Sequence, residues 1–351
     1  MAIREGTGAV PQIADTVYGN GTILTMNPAQ PEAEAVAVAG GVIIGVGALS
    51  DMKALCGAES RFVDLRGRTM LPGFIDAHTH FDLDVCNTTT ADDFASGTRS
   101  AIRGGTTTII DFACPNKGET LAYGLDLWHK KADGKCSCDY GFHMTIDDWN
   151  EGIEGELDDM FAAGITSFKM YLTYPAMMIG DGAVYSALKA LKKRGGIAGV
   201  HCENAGVIDA RIAELKAAGR AADVSAHPEA RPDYLEAEAV ARLLRIAEAA
   251  DAPVVIVHLT NREALDEVAF ARARGQRVYV ETCPQYLALD DGVYYDANWS
   301  MAARYVCAPP IRAEENQRAL WRGLRRGEIQ TISTDHCSFT LAQKDMGRED
   351  F

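Results

Sequence analysis

His78 and His80 stand one residue apart in the motif DAHTHFD. Side chains on a strand alternate with period two, so this spacing puts both imidazoles on one face, where a single metal ion can take both. His201 in GVHCEN, His258 in VIVHLTN and Asp335 in ISTDHC each close a short apolar run in the same manner. Imidazoles combined with a carboxylate suit zinc, with manganese, iron or cobalt as substitutes.

Lys169 poses a different question, because it sits at the centre of ITSFKMYLTYP, a run whose aromatic and β-branched residues read as a buried strand. A lysine titrates near 10.4 in water, and burial disfavours its charged form. The neutral amine is a nucleophile that can add carbon dioxide. The carbamate so formed replaces a cation with an anion of two oxygens, one for each of two metal ions. Taken alone, a strand lysine reaches solvent along its stem or pairs with a carboxylate. The strand-end histidines and Asp335 reverse that preference, since two adjacent dications require more negative ligand than imidazoles supply.

These residues need a scaffold that brings them together. From about residue 70, eight short apolar runs alternate with helical segments: TMLPGFIDAH, TTTIIDFA, DYGFHMTI, ITSFKMYL, GIAGVHC, APVVIVHL, QRVYVET and IQTISTD. Several of the helical segments end at glycine, as a helix C-terminus prefers. Eight strand–helix alternations over about 270 residues predict a (β/α)8 TIM barrel, whose active site forms at the C-terminal ends of its strands. The four histidines and Asp335 all fall at such ends, and Lys169 lies in the fourth strand.

Residues 1–68 carry short alternating runs broken by turn signals. Gly40-Gly41 between two such runs predicts a hairpin, and the region reads as a small N-terminal β-structure. The predicted organisation is therefore a small β domain over 1–68 and a barrel over 69–351. GNGTIL lacks the third glycine of a dinucleotide fingerprint, and no phosphate-binding Gly-Lys-Ser/Thr loop occurs.

The 351 residues are 47% apolar and 24% charged, an ordinary globular balance, with a formal net charge of -15. That charge argues against nucleic acid or an anionic membrane as partner. Apolar runs are too short to span a membrane and the N-terminus has no secretory pattern, so the expected location is cytoplasmic. Nine scattered cysteines read as reduced thiols, without the paired spacing of a structural zinc site. His129, His143, His227 and His336 are assigned structural roles, with a supporting position open to His336 beside Asp335. Cys202 and Cys337 are assigned to packing, and Asp111 to orienting a ligand or bonding a loop.

The segments GFIDAHTHFDL, SFKMYLTY, GVHCENAGVI, IVHLTN, VETCPQYLALD, APPIR and STDHCSF together resemble the cyclic amidohydrolases of the dihydropyrimidinase and hydantoinase family. The resemblance runs from about residue 70 to the last residue. It implies a binuclear zinc site with carboxylated Lys169: His78, His80, Lys169 and Asp335 around one ion, and Lys169, His201 and His258 around the other. It further implies a bridging hydroxide that attacks a cyclic ureide, a hydantoin or 5,6-dihydropyrimidine. Asp335 would carry the proton, Tyr174 would support the oxyanion, and the backbone at Ala308 would read the substrate. Family members are usually homotetramers.

Three departures from the family pattern accompany this resemblance. Ala308 stands where the family usually has serine, a change that a main-chain contact tolerates. FDLDV after His80 differs from the apolar loop expected to line the pocket for the ring substituent. The sequence lacks the stretch that in the family supplies the final barrel helix, the return strands completing a β-sandwich with the N-terminal portion, and a substrate-reading asparagine. Alternatives within the fold are a dihydroorotase- or allantoinase-like enzyme, against which Phe81 and Asp82 replace the expected arginine or asparagine, and an inactive shortened or scaffold homologue.

Overall fold

The computed structural model describes residues 12–351, which divide into two compact units, the first ending at Phe74 and the second running from Ile75 to Phe351. In the first, strands β1 (Ala14–Leu24), β2 (Glu32–Ala39), β3 (Val42–Gly47), β4 (Cys56–Asp64) and β5 (Thr69–Met70) form one mixed sheet ordered β3-β2-β1-β4, with β5 also on β1. The Gly40-Gly41 hairpin forms as expected: Ala39 pairs with Val42, and both glycines take left-handed φ angles of 55° and 78°, which this tight turn requires. Helix Leu49–Ala54 lays Met52 against Val17, Ala35 and Ala37 to make a small core.

The second unit is the barrel. Its strands are β6 (Phe74–Thr79), β9 (Thr106–Ala113), β10 (Asp139–Thr145), β11 (Ser167–Tyr171), β12 (Ile197–His201), β13 (Val254–Ile256), β14 (Val278–Thr282) and β15 (Thr331–Ile332), all parallel and ordered by sequence around the sheet; β7 (Asp84–Val85) and β8 (Thr88–Thr89) form a two-rung hairpin outside it. The eight strands coincide with the eight predicted runs. Between them lie amphipathic helices such as Asp181–Lys193, Asp233–Ala250 and Arg262–Ala273, whose Leu188, Leu191, Val240, Leu243 and Val268 are buried. Strands covered on both faces bury nearly every residue. In β11, Phe168, Lys169, Met170 and Tyr171 are all buried.

The circuit from β15 back to β6 is closed by a few bonds rather than by a ladder. Thr79 and His336 form a single parallel bridge, and His80 N donates to His336 O at 2.8 Å. The buried Asp76 accepts from Thr334 N at 3.0 Å and from Thr334 Oγ1 at 2.6 Å. This seam joins the segment carrying His78 and His80 to the one carrying Asp335.

Candidate active site

Alternation along β11 turns Lys169 to the barrel interior, where it is 1% exposed. Its Nζ lies 3.2 Å from His78 Nε2 and 4.8 and 5.0 Å from the ring centroids of Phe112 and Tyr171. Burial lowers its pKa, against the opposing charges of Asp335 and Glu281. Among the described residues it has no carboxylate partner at ion-pair distance.

His78 is oriented from behind. Its Nδ1 lies 2.6 Å from Glu281 Oε1, so Nδ1 donates and the Nε2 lone pair faces the interior. His78 Nε2 and His80 Nε2 each lie 3.2 Å from Asp335 Oδ1, and the ligand atoms of these three residues fall within 4.8 Å of one another. Burial and then the Lys169 charge keep His78 well below the ordinary imidazole range. Burial also opposes ionisation of Asp335, but His78, His80 and His258 together hold its carboxyl well below the usual carboxylate range.

His201 has the opposite arrangement. Its Nε2 lies 2.7 Å from Glu203 Oε2, which leaves Nδ1 as the free lone pair. The rings form a continuous arc: His80 to His78 at 5.2 Å between centroids, His78 to His258 at 5.4 Å, His258 to His201 at 4.5 Å and His201 to Tyr174 at 5.1 Å. Burial first, then the Glu203 charge, pushes the Tyr174 phenol well above its usual range, so it is a protonated donor.

Three residues of this site carry backbone that L-residues seldom adopt: Tyr174 at φ 66°, His258 at φ 40° and Asp335 at φ 53°. His258 and Asp335 follow the last residues of β13 and β15 by two and three positions. Left-handed backbone there means that the turn, not strand alternation, aims the two side chains.

Residues 69–349 match the Amidohydrolase family. The chain is 40% identical over 339 residues to a D-hydantoinase of Streptomyces coelicolor, covering 96% of this chain and 72% of the relative. The chain belongs to the amidohydrolase family, in its dihydropyrimidinase and hydantoinase branch. A dihydropyrimidinase of Arabidopsis thaliana is 37% identical, with 94% of this chain and 61% of the relative covered. The solved dihydropyrimidinase from Brevibacillus agri superposes with a TM-score of 0.91 at 37% identity, covering 96% of this chain and 72% of the other.

The donor set of this amidohydrolase fits divalent metal. Three lone-pair atoms from His78, His80 and Asp335 converge in a buried space, and among the described residues the buried Nδ1 atoms of His80 and His258 have no hydrogen-bond partner. A carboxylate behind a ligating imidazole, as Glu281 stands behind His78 and Glu203 behind His201, is the usual support of a metal-bound histidine. His201 and His258 lie outside the tight group of three and meet it through the His78–His258 contact.

The other expected residues fall as follows. Ala308 is partly exposed in the segment before Pro309. His336 bonds Asp92 at 2.9 Å rather than Asp335, while His143 bonds Ser167 and the Ala77 carbonyl, and His227 the Cys307 carbonyl. His129 pairs with Asp133 on the surface. Asp111 is buried and accepts from Thr79 Oγ1, Phe81 N and Trp128 Nε1, so it fixes the turn after His80. Phe81 packs against Gly97, where any Cβ would lie 2.2 Å from its ring. Cys202 is buried in the core. Glu281, Glu203 and Arg231 were not singled out from the sequence. Glu281 sits in the apolar run VYVET, the same anomaly that marks Lys169, and Glu203 follows His201 at the period-two spacing.

Proposed function

We propose that this chain opens a cyclic ureide, a hydantoin or 5,6-dihydropyrimidine, by hydrolysis of a ring C–N bond at a binuclear site containing carboxylated Lys169. The observation that carries the reading is Lys169 itself: a buried amine 3.2 Å from His78 Nε2, surrounded by imidazoles and, among the described residues, without a carboxylate partner. Conversion to a carbamate removes the buried cation and supplies the negative charge that His78, His80, His201 and His258 lack. His78, His80, Lys169 and Asp335 would hold one divalent ion, and Lys169, His201 and His258 the other. Zinc is the first choice, with manganese, iron or cobalt as substitutes. Such ions, when bound, polarise the substrate carbonyl and make water nucleophilic at neutral pH.

The chain's own groups do the rest. Asp335, kept ionised by its histidine neighbours, takes the proton of the attacking water and delivers it to the ring nitrogen as the C–N bond breaks. Tyr174, kept protonated, directs its hydroxyl to the oxygen on which negative charge develops. The backbone around Ala308 reads the ureide edge. Neutral rings are favoured over carboxylate-bearing ones because the turn after His80 offers a buried Phe81 and the carboxylate of Asp82, not a cation. The family resemblance leads us to propose a homotetramer and a cytoplasmic location as well.

The test is a panel of hydantoin, dihydrouracil, dihydroorotate and allantoin, applied to protein of measured metal content before and after chelation. Ring opening of the first two that disappears on chelation is the expected result. Preference for dihydroorotate or allantoin would overturn the substrate assignment, and inactivity of fully metal-loaded protein on all four would overturn the reaction.

A further inference from the structure

Arg231 reaches the site from outside the barrel strands. It follows the short helix Ala226–Ala230 and precedes helix Asp233–Ala250, and its NH1 donates to Glu203 Oε2 at 2.9 Å. The same carboxylate oxygen is 2.7 Å from His201 Nε2. The Arg231 guanidinium carbon also lies 6.0 Å from the centroid of the Tyr174 ring, within range of a cation–π contact. The side chains of Arg231 and Glu203 are 11% and 1% exposed.

This pair does not satisfy its own hydrogen bonds to the full. Among the described residues the buried Glu203 Oε1 and Arg231 Nε have no partner, while Oε2 takes two donors. A fork-to-fork ion pair would have used both oxygens and both nitrogens. Here the carboxylate is turned so that one oxygen serves His201 and Arg231 together, and the guanidinium is left facing the Tyr174 ring. Tyr174 needs such support, since its φ of 66° is one that its own backbone preferences do not hold.

Arg231 is fixed in turn through its own backbone carbonyl. That carbonyl accepts from Arg312 NH1, and Arg312 is buried with bonds to Glu236 Oε2 at 3.0 Å and Thr260 Oγ1 at 2.9 Å. Arg312 ends the segment that begins at Ala308, and Thr260 lies two residues beyond His258. A chain of bonds thus runs from Arg312, at the end of the Ala308 segment, through Arg231 and Glu203 to His201, with Thr260 bonded to Arg312 and the Tyr174 ring beside Arg231.

We propose that Arg231 is a positioning residue which, through Glu203 and the face of the Tyr174 ring, fixes the Tyr174 phenol and the His201 imidazole relative to each other and to the Ala308 segment. Its role in turnover rests on the ring-opening function proposed above, whereas its hold on Tyr174 does not. Displacing a reacting group by about 1 Å costs on the order of 10²-fold in rate.

The experiment is a double-mutant cycle on the full chain between Arg231 and Tyr174, reading kcat and KM on the ureide that the unaltered protein opens, with metal content measured in parallel. Arg231→Met and Tyr174→Phe are each expected to lower kcat on the order of 10²-fold with metal retained. If Arg231 acts through Tyr174, Arg231→Met costs less than about threefold more in the Tyr174→Phe background. Arg231→Lys, which keeps the charge without the planar fork, is expected to fall between the two. Running the cycle with Lys as well as Met leaves one decisive should the Met variant not fold. Independent, multiplicative losses overturn the proposal. A second reading needs no turnover: 3-fluorotyrosine placed at position 174 in metal-free protein should shift its 19F resonance on Arg231→Met and move part-way back with Arg231→Lys. An unmoved resonance overturns the proposal even if the protein opens no ureide, and a moved one sustains it when only the functional reading has failed.

Discussion

His78 Nδ1 and Glu281 Oε1 stand 2.6 Å apart, on β6 and β14, and this contact decides which nitrogen of His78 faces the barrel interior. Glu281 is 5% exposed, and burial pushes its carboxyl up to about 7, partly offset by Lys169. Glu281→Ala should therefore weaken metal binding by roughly 10- to 100-fold, with a smaller loss for Glu281→Gln, whose amide oxygen can still accept. Competition with a chelator of known affinity measures this. Equal affinity in Glu281→Ala and the unaltered protein would contradict it.

Lys169→Ala should lose metal and ring-opening activity together, since in the proposed site the Lys169 carbamate would serve both ions. Near-stoichiometric zinc with intact turnover would remove Lys169 from the bridge.

The same lysine sets a pH dependence in metal-free, carbon-dioxide-free protein. Its pKa in the folded chain is lowered by burial relative to about 10.4 in the unfolded chain. Between those two values the unfolded state binds more protons, so stability relative to Lys169→Met rises with pH through that window and levels off above about 10.4. Below the folded pKa both states carry the ammonium, and the deficit is largest there. Urea midpoints of the two proteins from pH 7 upward test the slope, and a gap that widens with rising pH has the wrong sign.

Asp335→Asn should lose turnover more completely than metal, because asparagine keeps an oxygen donor but cannot take a proton. Metal analysis beside single-turnover rates separates the two effects. Unchanged turnover would take Asp335 out of proton transfer.

Asp335 also bears backbone strain at φ 53°. In metal-free protein, Asp335→Gly should be more stable than Asp335→Ala by about 1 kcal/mol, as glycine alone enters the left-handed region without penalty. Denaturant titration of the two variants reads the difference directly, and an alanine variant of equal stability would show that the strain is absent.

Much of this site was legible in the sequence because period-two alternation and apolar runs are local signals. The spacing of His78 and His80 and the strand-end places of His201, His258 and Asp335 follow from such signals, and the eight runs align with the eight strands. What stayed hidden is relational. Nothing local in VYVET says that Glu281 will stand behind His78, over two hundred residues away, or that Arg231 will meet Glu203. The left-handed turns at His258 and Asp335 escaped for the opposite reason: histidine and aspartate enter that backbone more readily than most residues, yet most of them do not, and tertiary contacts decide it here.

The seam between β6 and β15 gives the proposed metal ligands a mechanical meaning. His78 and His80 belong to one lip of that seam and Asp335 to the other, while the protein itself spans the gap with the Thr79–His336 bridge, which includes the His80–His336 bond, and the Asp76–Thr334 bonds. Were these side chains to grip a shared ion from both lips, as proposed, they would act as a rivet, closing the ring of strands much as a cross-link shortens a long chain loop. Demetallation would then be felt first as a loosened joint, with the amides of His80 and Thr334 exchanging their hydrogens ahead of those in β11 and β12.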